Sequence, residues 1–415
     1  MRRDLITDFF SRKIEFKGVK RDLEIEEIEN KIVSIIGPRR AGKTYFFYYL
    51  YTKLFKPMYV NFEDIAFRNI KAEEFFEIVK IFSENFYEPK TLLLDEIQII
   101  EGWQVLLRSL LERKFKVIVT GSSSKLLSKE ISTELRGRTI KYLLFPFSFK
   151  EFLRAKNFET KDLTFEKTGT LLKFLKEYLE FGGFPEVVLN VSKEKILREY
   201  FDETFYKDFV ERHKIKSIEF GKFLFEFAFQ NFSKEISFKK ILDFFHRKVS
   251  FRTLYDYIEK LSDTLNVFFL DKYSQSIYER SSWPKKMYVC DVGISTALRF
   301  FSDIGKRMEN TVFLELKRSE NEKPFQQILY FKNSQGNEVD FVIKEGKKIK
   351  QLIQVTYVSD KKEVEEKEIK NLIKAGDLLK CKNLLIITWD YEDEISVNSK
   401  KIKFVPMWKW LLKAK

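Results

Sequence analysis

Three short runs of this chain combine residue types that can act on a phosphate ester. The octet Gly37-Pro-Arg-Arg-Ala-Gly-Lys-Thr44 follows the apolar run Ile32 to Ile36 and fits G-x-x-x-x-G-K-[ST], with Pro38, Arg39, Arg40 and Ala41 as its variable middle. Glycines at Gly37 and Gly42 let backbone N–H groups curl round phosphate oxygens, and the start of the helix that follows adds partial positive charge. Lys43 is long enough to reach β- and γ-phosphates, and the Thr44 hydroxyl is a ligand for Mg²⁺. Tyr45, next along the helix, belongs to the same binding set. The pattern implies a nucleoside triphosphate.

The second run, Thr91-Leu-Leu-Leu-Asp-Glu-Ile-Gln98, has buried-strand character and ends in two acids. Adjacent carboxylates at a strand end are costly unless a cation or donors meet them. Asp95 is therefore expected to hold Mg²⁺, and Glu96 to orient and deprotonate an attacking water. The third run, Lys116-Val-Ile-Val-Thr-Gly-Ser-Ser-Ser124, delivers hydroxyls at its end, where Thr120 or Ser122 is placed to sense a γ-phosphate. A plain polar turn is the competing reading.

These runs sit in an alternation that continues to about residue 150. Between them come Met58-Tyr-Val-Asn-Phe62, helices near 72–86 and 103–114, and a closing strand Thr139-Ile-Lys-Tyr-Leu-Leu-Phe145. Alternating strands and helices predict a parallel sheet covered on both faces. A full strand separates the phosphate loop from the acids in chain order, and Glu96 follows Asp95 directly, which resembles the additional-strand P-loop ATPases, AAA-like proteins among them. Before the closing strand, Glu134-Leu-Arg-Gly-Arg138 presents Arg136 and Arg138 as candidate charge-stabilising fingers, in this chain's own site or a neighbouring subunit's.

Taken in order, GPRRAGKT, LLLDEIQ, VTGSSS, ELRGR, LFPFSFKEF and FGGFPE resemble the archaeal and bacterial ATPases that join an AAA-type domain to a winged helix and a nuclease-like C-terminal domain. The resemblance implies ATP and Mg²⁺ as cofactors. It also implies an α/β architecture in three parts: a P-loop parallel-sheet ATPase domain over 1–150, a helical and winged-helix region over 151–275, and a restriction-endonuclease-like α/β domain over 276–415.

In the middle part, residues 236–245 and 250–261 keep apolar residues at helical spacing (241, 244, 245; 254, 258, 261), and Ser250 suits an N-cap. They predict a helix-turn-helix with Arg252, Tyr255 and Lys260 toward DNA, or a lid that touches only protein. Residues 266–274 are expected to form the wing. In the last part, Glu309 on a helix, Asp340 on a strand, and Gln354 and Thr356 on the next strand occupy the positions that the PD-(D/E)xK resemblance gives to metal ligands and a lysine. A neutral amide and a threonine are poor replacements, so the expectation is a degenerate centre without nuclease activity, with Lys350 the one candidate for a relocated lysine.

Composition narrows the classes. The chain has 415 residues, a formal net charge of +14, two cysteines and two histidines. Cys290 and Cys381 lie in apolar surroundings, and a His-based metal site or Ser-His-Asp apparatus is hard to build from His213 and His246 alone. No apolar run approaches the ~20 residues that span a bilayer. The expectation is a cytoplasmic protein with ATP or ADP and DNA as partners, no membrane, and a homo-oligomer or protein partner. Its activity would be ATP hydrolysis coupled to DNA, the alternative being a STAND-like nucleotide switch that governs protein contacts.

Overall fold

Each apolar run that ends in polar residues becomes a strand whose C-terminal end faces one edge of a parallel sheet. The computed structural model describes residues 3–414 apart from 27, 122–136, 246–248, 275, 277–283, 300–302, 364–365 and 398–399. Two compact units emerge, Met1–Phe145 and Pro146–Lys415.

The first unit begins with α1 (Arg3–Ser11), then β1 (Ile32–Ile36), α2 (Lys43–Tyr51), β2 (Pro57–Asn61), α3 (Phe75–Asn85), β3 (Thr91–Asp95), α4 (Trp103–Glu112), β4 (Lys116–Gly121) and β5 (Thr139–Leu143). The sheet order is β2-β3-β4-β1-β5, every pairing parallel. All five residues of β1 and of β3 are buried, as continuous apolar runs covered on both faces should be. In space β4 separates the strand that leads into the phosphate loop from the strand that carries the acids. The ends of β1, β3 and β4 therefore converge on one edge, where a parallel α/β sheet places its ligand.

The second unit opens with α5 (Phe149–Ala155), α6 (Phe165–Phe181), α7 (Pro185–Leu189) and α8 (Lys193–Glu203), which continues as π-helix through Glu211. Ser148 and Glu151 form a reciprocal cap at the start of α5. The Phe181-Gly-Gly-Phe-Pro-Glu186 break is a close backbone approach: a side chain at Gly183 would meet the Phe147 carbonyl at 2.3 Å. The buried Asp291 carboxylate accepts the N–H groups of Gly183 (2.6 Å) and Gly293 (2.8 Å).

Next come α9 (Ile218–Gln230), β6 (Lys234–Ile236), α10 (Phe238–Phe244), α11 (Phe251–Asp263), β7 (Val267–Leu270) and β8 (Lys285–Val289). The three strands form an antiparallel sheet in the order β6-β8-β7. Ser250 caps α11 as expected, and Ser237 caps α10 in the same way. Ile241, Leu254 and Leu261 are buried, whereas Phe244 is 66% exposed and stacks on Phe223. The strand that completes this sheet, β8, lies beyond the expected division at 275. Of the residues expected as the wing, Val267–Leu270 form β7 of this sheet, and those that follow leave it, with Tyr273 donating its N–H to the Tyr330 carbonyl at 2.6 Å.

The remainder is α12 (Gly293–Ala297), α13 (Ile304–Ser319), β9 (Gln326–Lys332), β10 (Glu338–Glu345), β11 (Lys348–Val355), α14 (Glu366–Leu378), β12 (Leu384–Thr388), β13 (Asp393–Val397), β14 (Lys400–Pro406) and α15 (Met407–Lys413). Its six strands run β13-β14-β12-β11-β10-β9, with β11, β12 and β14 mutually parallel and the outer pairings antiparallel.

Candidate functional site

The phosphate loop is held by backbone constraints that its sequence anticipates. Gly42 has φ 93° at the start of α2, and Arg40, also left-handed at φ 66°, precedes it. A Cβ at Gly37 would lie 2.1 Å from the Leu144 carbonyl oxygen, so no larger residue fits where β1 leaves the sheet. Ala41 is buried, Arg39 half-buried, Arg40 and Tyr45 exposed. The buried Lys43 ammonium donates to the carbonyls of Gly37 (3.1 Å) and Pro38 (3.0 Å), drawn back across its own loop.

Asp95 is where three strands and a helix meet. Its Oδ2 accepts from the hydroxyls of Thr44 (2.8 Å) and Tyr59 (3.0 Å), and its Oδ1 from Thr120. Burial raises the Asp95 carboxyl above the usual carboxylate range, and Glu96 beside it adds to the effect, while the three hydroxyls oppose it. A buried carboxylate ringed by hydroxyls, one of them on the phosphate loop, is a hard-oxygen donor set suited to Mg²⁺. Glu96 follows in the left-handed region at φ 53°, its N–H bonded to the Thr120 hydroxyl at 3.1 Å and its Oε2 accepting from the Gln98 amide.

The predicted residues divide on this geometry. Lys43, Thr44, Asp95, Glu96 and Thr120 converge. Thr120 faces Asp95 and the Glu96 N–H, so its hydroxyl braces the acids and is not turned toward a phosphate. Ser122 and Arg136 lie outside the described residues. Arg138 is exposed at the start of β5, where its carbonyl accepts the Ile32 N–H at 2.8 Å. Because β1 and β5 are parallel, that end is about 13 Å of strand from the phosphate loop. As a finger for this chain's own site Arg138 is misplaced; only a neighbouring copy's site remains open to it.

In the second unit Glu309 on α13 and Asp340 on β10 do come together, around Lys286 of β8. Its buried ammonium lies 3.1 Å from Glu309 Oε1, 3.0 Å from Asp340 Oδ1 and 2.7 Å from Glu338 Oε1. Tyr288 donates to Glu309 Oε1 at 2.7 Å, and Asp340 Oδ2 accepts the Val355 N–H at 2.9 Å. Burial pulls the Lys286 ammonium toward losing its proton, and Glu309 and Asp340 more than offset that, leaving it charged far above the ordinary lysine range. Burial and the nearby Asp340 push Glu309 upward. Gln354 lies on β11 and Thr356 just past its end, either side of Val355, and Thr356 spends its N–H on the Ile387 carbonyl at 2.9 Å. Lys350, the candidate for a relocated lysine, is exposed and paired with Glu345 at 2.9 Å, apart from this cluster.

Residues 29–153 match the model of an AAA domain; residues 172–305 and 304–410 match two models, each described as a domain of unknown function. A protein of Methanocaldococcus jannaschii described as uncharacterized is 42% identical, the match covering 99% of this chain and 94% of that one. The chain belongs to its family, one that carries an AAA-type P-loop domain. A protein of Haemophilus influenzae, also described as uncharacterized, is 27% identical over 85% of both chains. Among solved structures, Cdc6p from Pyrobaculum aerophilum is 12% identical over 59% of this chain and 82% of its own, with a TM-score of 0.26. A DNA polymerase III gamma subunit-related protein from Thermotoga maritima is 14% identical over 71% and 95%, with a TM-score of 0.25. Likenesses this low carry none of the argument.

Three residues at these sites escape sequence reasoning. Tyr59 reads as an ordinary apolar position of β2. Arg21, before the first strand, is buried and donates to the carbonyls of Ala41 (2.8 Å) and Phe145. Lys286 reads as one lysine in a basic pair. Their only signal is that a polar or charged tip sits next to an apolar run. No helix among the described residues is long and apolar enough to cross a membrane.

Proposed function

We propose that this chain is a Mg²⁺-dependent ATPase that couples ATP binding and hydrolysis to binding or remodelling of DNA. The observation that carries the catalytic half is the 2.8 Å hydrogen bond from Thr44 to Asp95, which joins the phosphate loop to the acid of β3 across 51 positions of sequence. Thr44 and Asp95 would hold Mg²⁺, which when bound neutralises charge on the β- and γ-phosphate oxygens. Lys43 exchanges its loop carbonyls for phosphate oxygens. Glu96 orients a water and takes its proton, and Thr120 and Gln98 fix the backbone and carboxylate of that base. The test is phosphate release with ATP and Mg²⁺ against EDTA and against Lys43→Ala; turnover unchanged by the variant would refute the assignment.

Support for the DNA half comes from the second unit and from the charge of +14. The order α9, β6, α10, α11, β7, β8 with strand order β6-β8-β7 supports the winged-helix reading, and Arg252 and Tyr255 are exposed on α11. The mixed sheet with Asp340 and the degenerate Gln354 and Thr356 supports a nuclease-like domain that binds without cutting. Duplex binding by the full chain at two salt concentrations tests this, with a logarithmic slope of about −0.9 per phosphate neutralised. One observation favours the nucleotide-switch alternative: Lys260 is tied to Asp256 at 2.7 Å and Glu259 shares the exposed side of α11, so that helix offers mixed charge. Absent affinity at low salt, with ATP turnover intact, would select the switch.

A further inference from the structure

The Lys286 cluster does not follow from ATP hydrolysis or DNA binding, and it stands whether or not either reading holds. Three carboxylates from two elements, Glu309 of α13 and Glu338 and Asp340 of β10, point at one volume, and the ammonium of a residue on a different sheet fills it. We infer that this is a cation site loaded from within: Lys286 takes the place of a divalent ion, closes the acid cluster to Mg²⁺ or Mn²⁺, and pins the three-stranded sheet to the six-stranded one.

The partners leave no room for another reading of the lysine. Its side chain is 3% exposed, against 8% for Asp340 and 12% for Glu309, so the ammonium is enclosed by its acceptors and does not reach solvent. The facing oxygens are already occupied: Glu309 Oε1 by Lys286 and Tyr288, Asp340 Oδ2 by the Val355 N–H, and Glu338 Oε2 by Lys332 at 3.2 Å. Among the described residues no group of three or more His, Cys, Asp or Glu is arranged to hold a metal ion. Lys332 extends the tie, reaching Glu235 of β6 at 2.7 Å from its own place on β9. A buried charge whose partners are removed is strongly destabilising, whereas a network neutralised as a whole is not. The two cases make the inference testable.

The experiment is Mn²⁺ binding by paramagnetic resonance, with thermal unfolding, on the full nucleotide-free chain. Wild type and Asp340→Asn should take up Mn²⁺ alike. Lys286→Ala should gain about one Mn²⁺ per chain, lose it again with Asp340→Asn, and melt at a lower temperature that Mn²⁺ partly restores. If Lys286→Ala does not fold, the variant Lys286→Met/Glu309→Gln/Glu338→Gln/Asp340→Asn, neutral at all four positions, should still fold without metal. The inference is overturned by Mn²⁺ uptake in wild type that Asp340→Asn abolishes, by a Lys286→Ala chain that keeps its melting temperature and ignores Mn²⁺, or by a neutral variant that fails to fold.

Discussion

Asp95 collects three hydroxyl donors, and each can be removed separately. Tyr59→Phe deletes one and leaves a buried carboxylate short of a donor, which should cost about 1.5–3 kcal/mol of stability in urea unfolding and raise the Mg²⁺ needed for half-maximal turnover. An unchanged midpoint would detach Tyr59 from the site. Glu96→Gln should keep ATP affinity while turnover falls by a factor on the order of 10² to 10⁴; full turnover would remove Glu96 as the base. For Arg138 the expectation follows from its position at the far end of β5. Arg138→Ala should spare turnover in dilute protein and lower it only where turnover rises with protein concentration. Loss at every concentration would contradict the placement. Asp95 and Glu96 were legible because two acids ending an apolar run have few other uses, and Lys43 and Thr44 because their spacing is fixed by the phosphates. Tyr59 was not, because the chemistry of an aromatic residue in a strand depends on which neighbour its hydroxyl meets.

At the scale of elements, the phosphate loop depends on contacts outside its own octet. Arg21→Ala frees the Ala41 carbonyl and should weaken ATP binding measured by calorimetry, with Gly37, Lys43 and Thr44 all intact; equal affinity would make Arg21 a structural residue only. Alternation of apolar runs and helices was enough to read the parallel sheet, since strands covered on both faces must be continuously apolar. It could not give the order of strands, because β4 inserts between β1 and β3 through pairing that no local pattern records. The same limit applies to β8. Lys285–Val289 reads equally well as the first strand of the last domain or the last strand of the three-stranded sheet, and only hydrogen bonding to β6 and β7 decides. Phe244 shows the opposite failure: its helical spacing fits a core position, yet it lies on the outer side and stacks on Phe223.

For the whole molecule, the second unit has a pH dependence built into the knot around Asp291. Burial raises that carboxyl to about 6, against the N–H donors of Gly183 and Gly293. The folded state thus binds the proton more tightly than the unfolded chain. Its contribution to stability is full below about pH 4 and is lost as pH rises through about 6, at up to ~1.4 kcal/mol per pH unit. Asp291→Asn should make the urea-midpoint profile rise more steeply with pH than the wild type's between pH 4 and 6.5, and a parallel slope in both proteins would rule the group out. His213 acts in the same window with the opposite sign: burial takes it down to about 4, so the unfolded chain binds that proton more tightly and its contribution to stability rises between pH 4 and 6.5; His246 lies outside the described residues. Cys290 and Cys381 are free and buried, in keeping with their apolar surroundings in the sequence.

The Arg21 clasp also has a mechanical meaning. One planar guanidinium holds both Ala41, inside the phosphate loop, and Phe145, the last residue of the first unit. A stiff fork cannot follow two carbonyls that move apart, so a displacement of the loop is passed to the point where the chain leaves the unit, and a pull on that exit is felt by the loop.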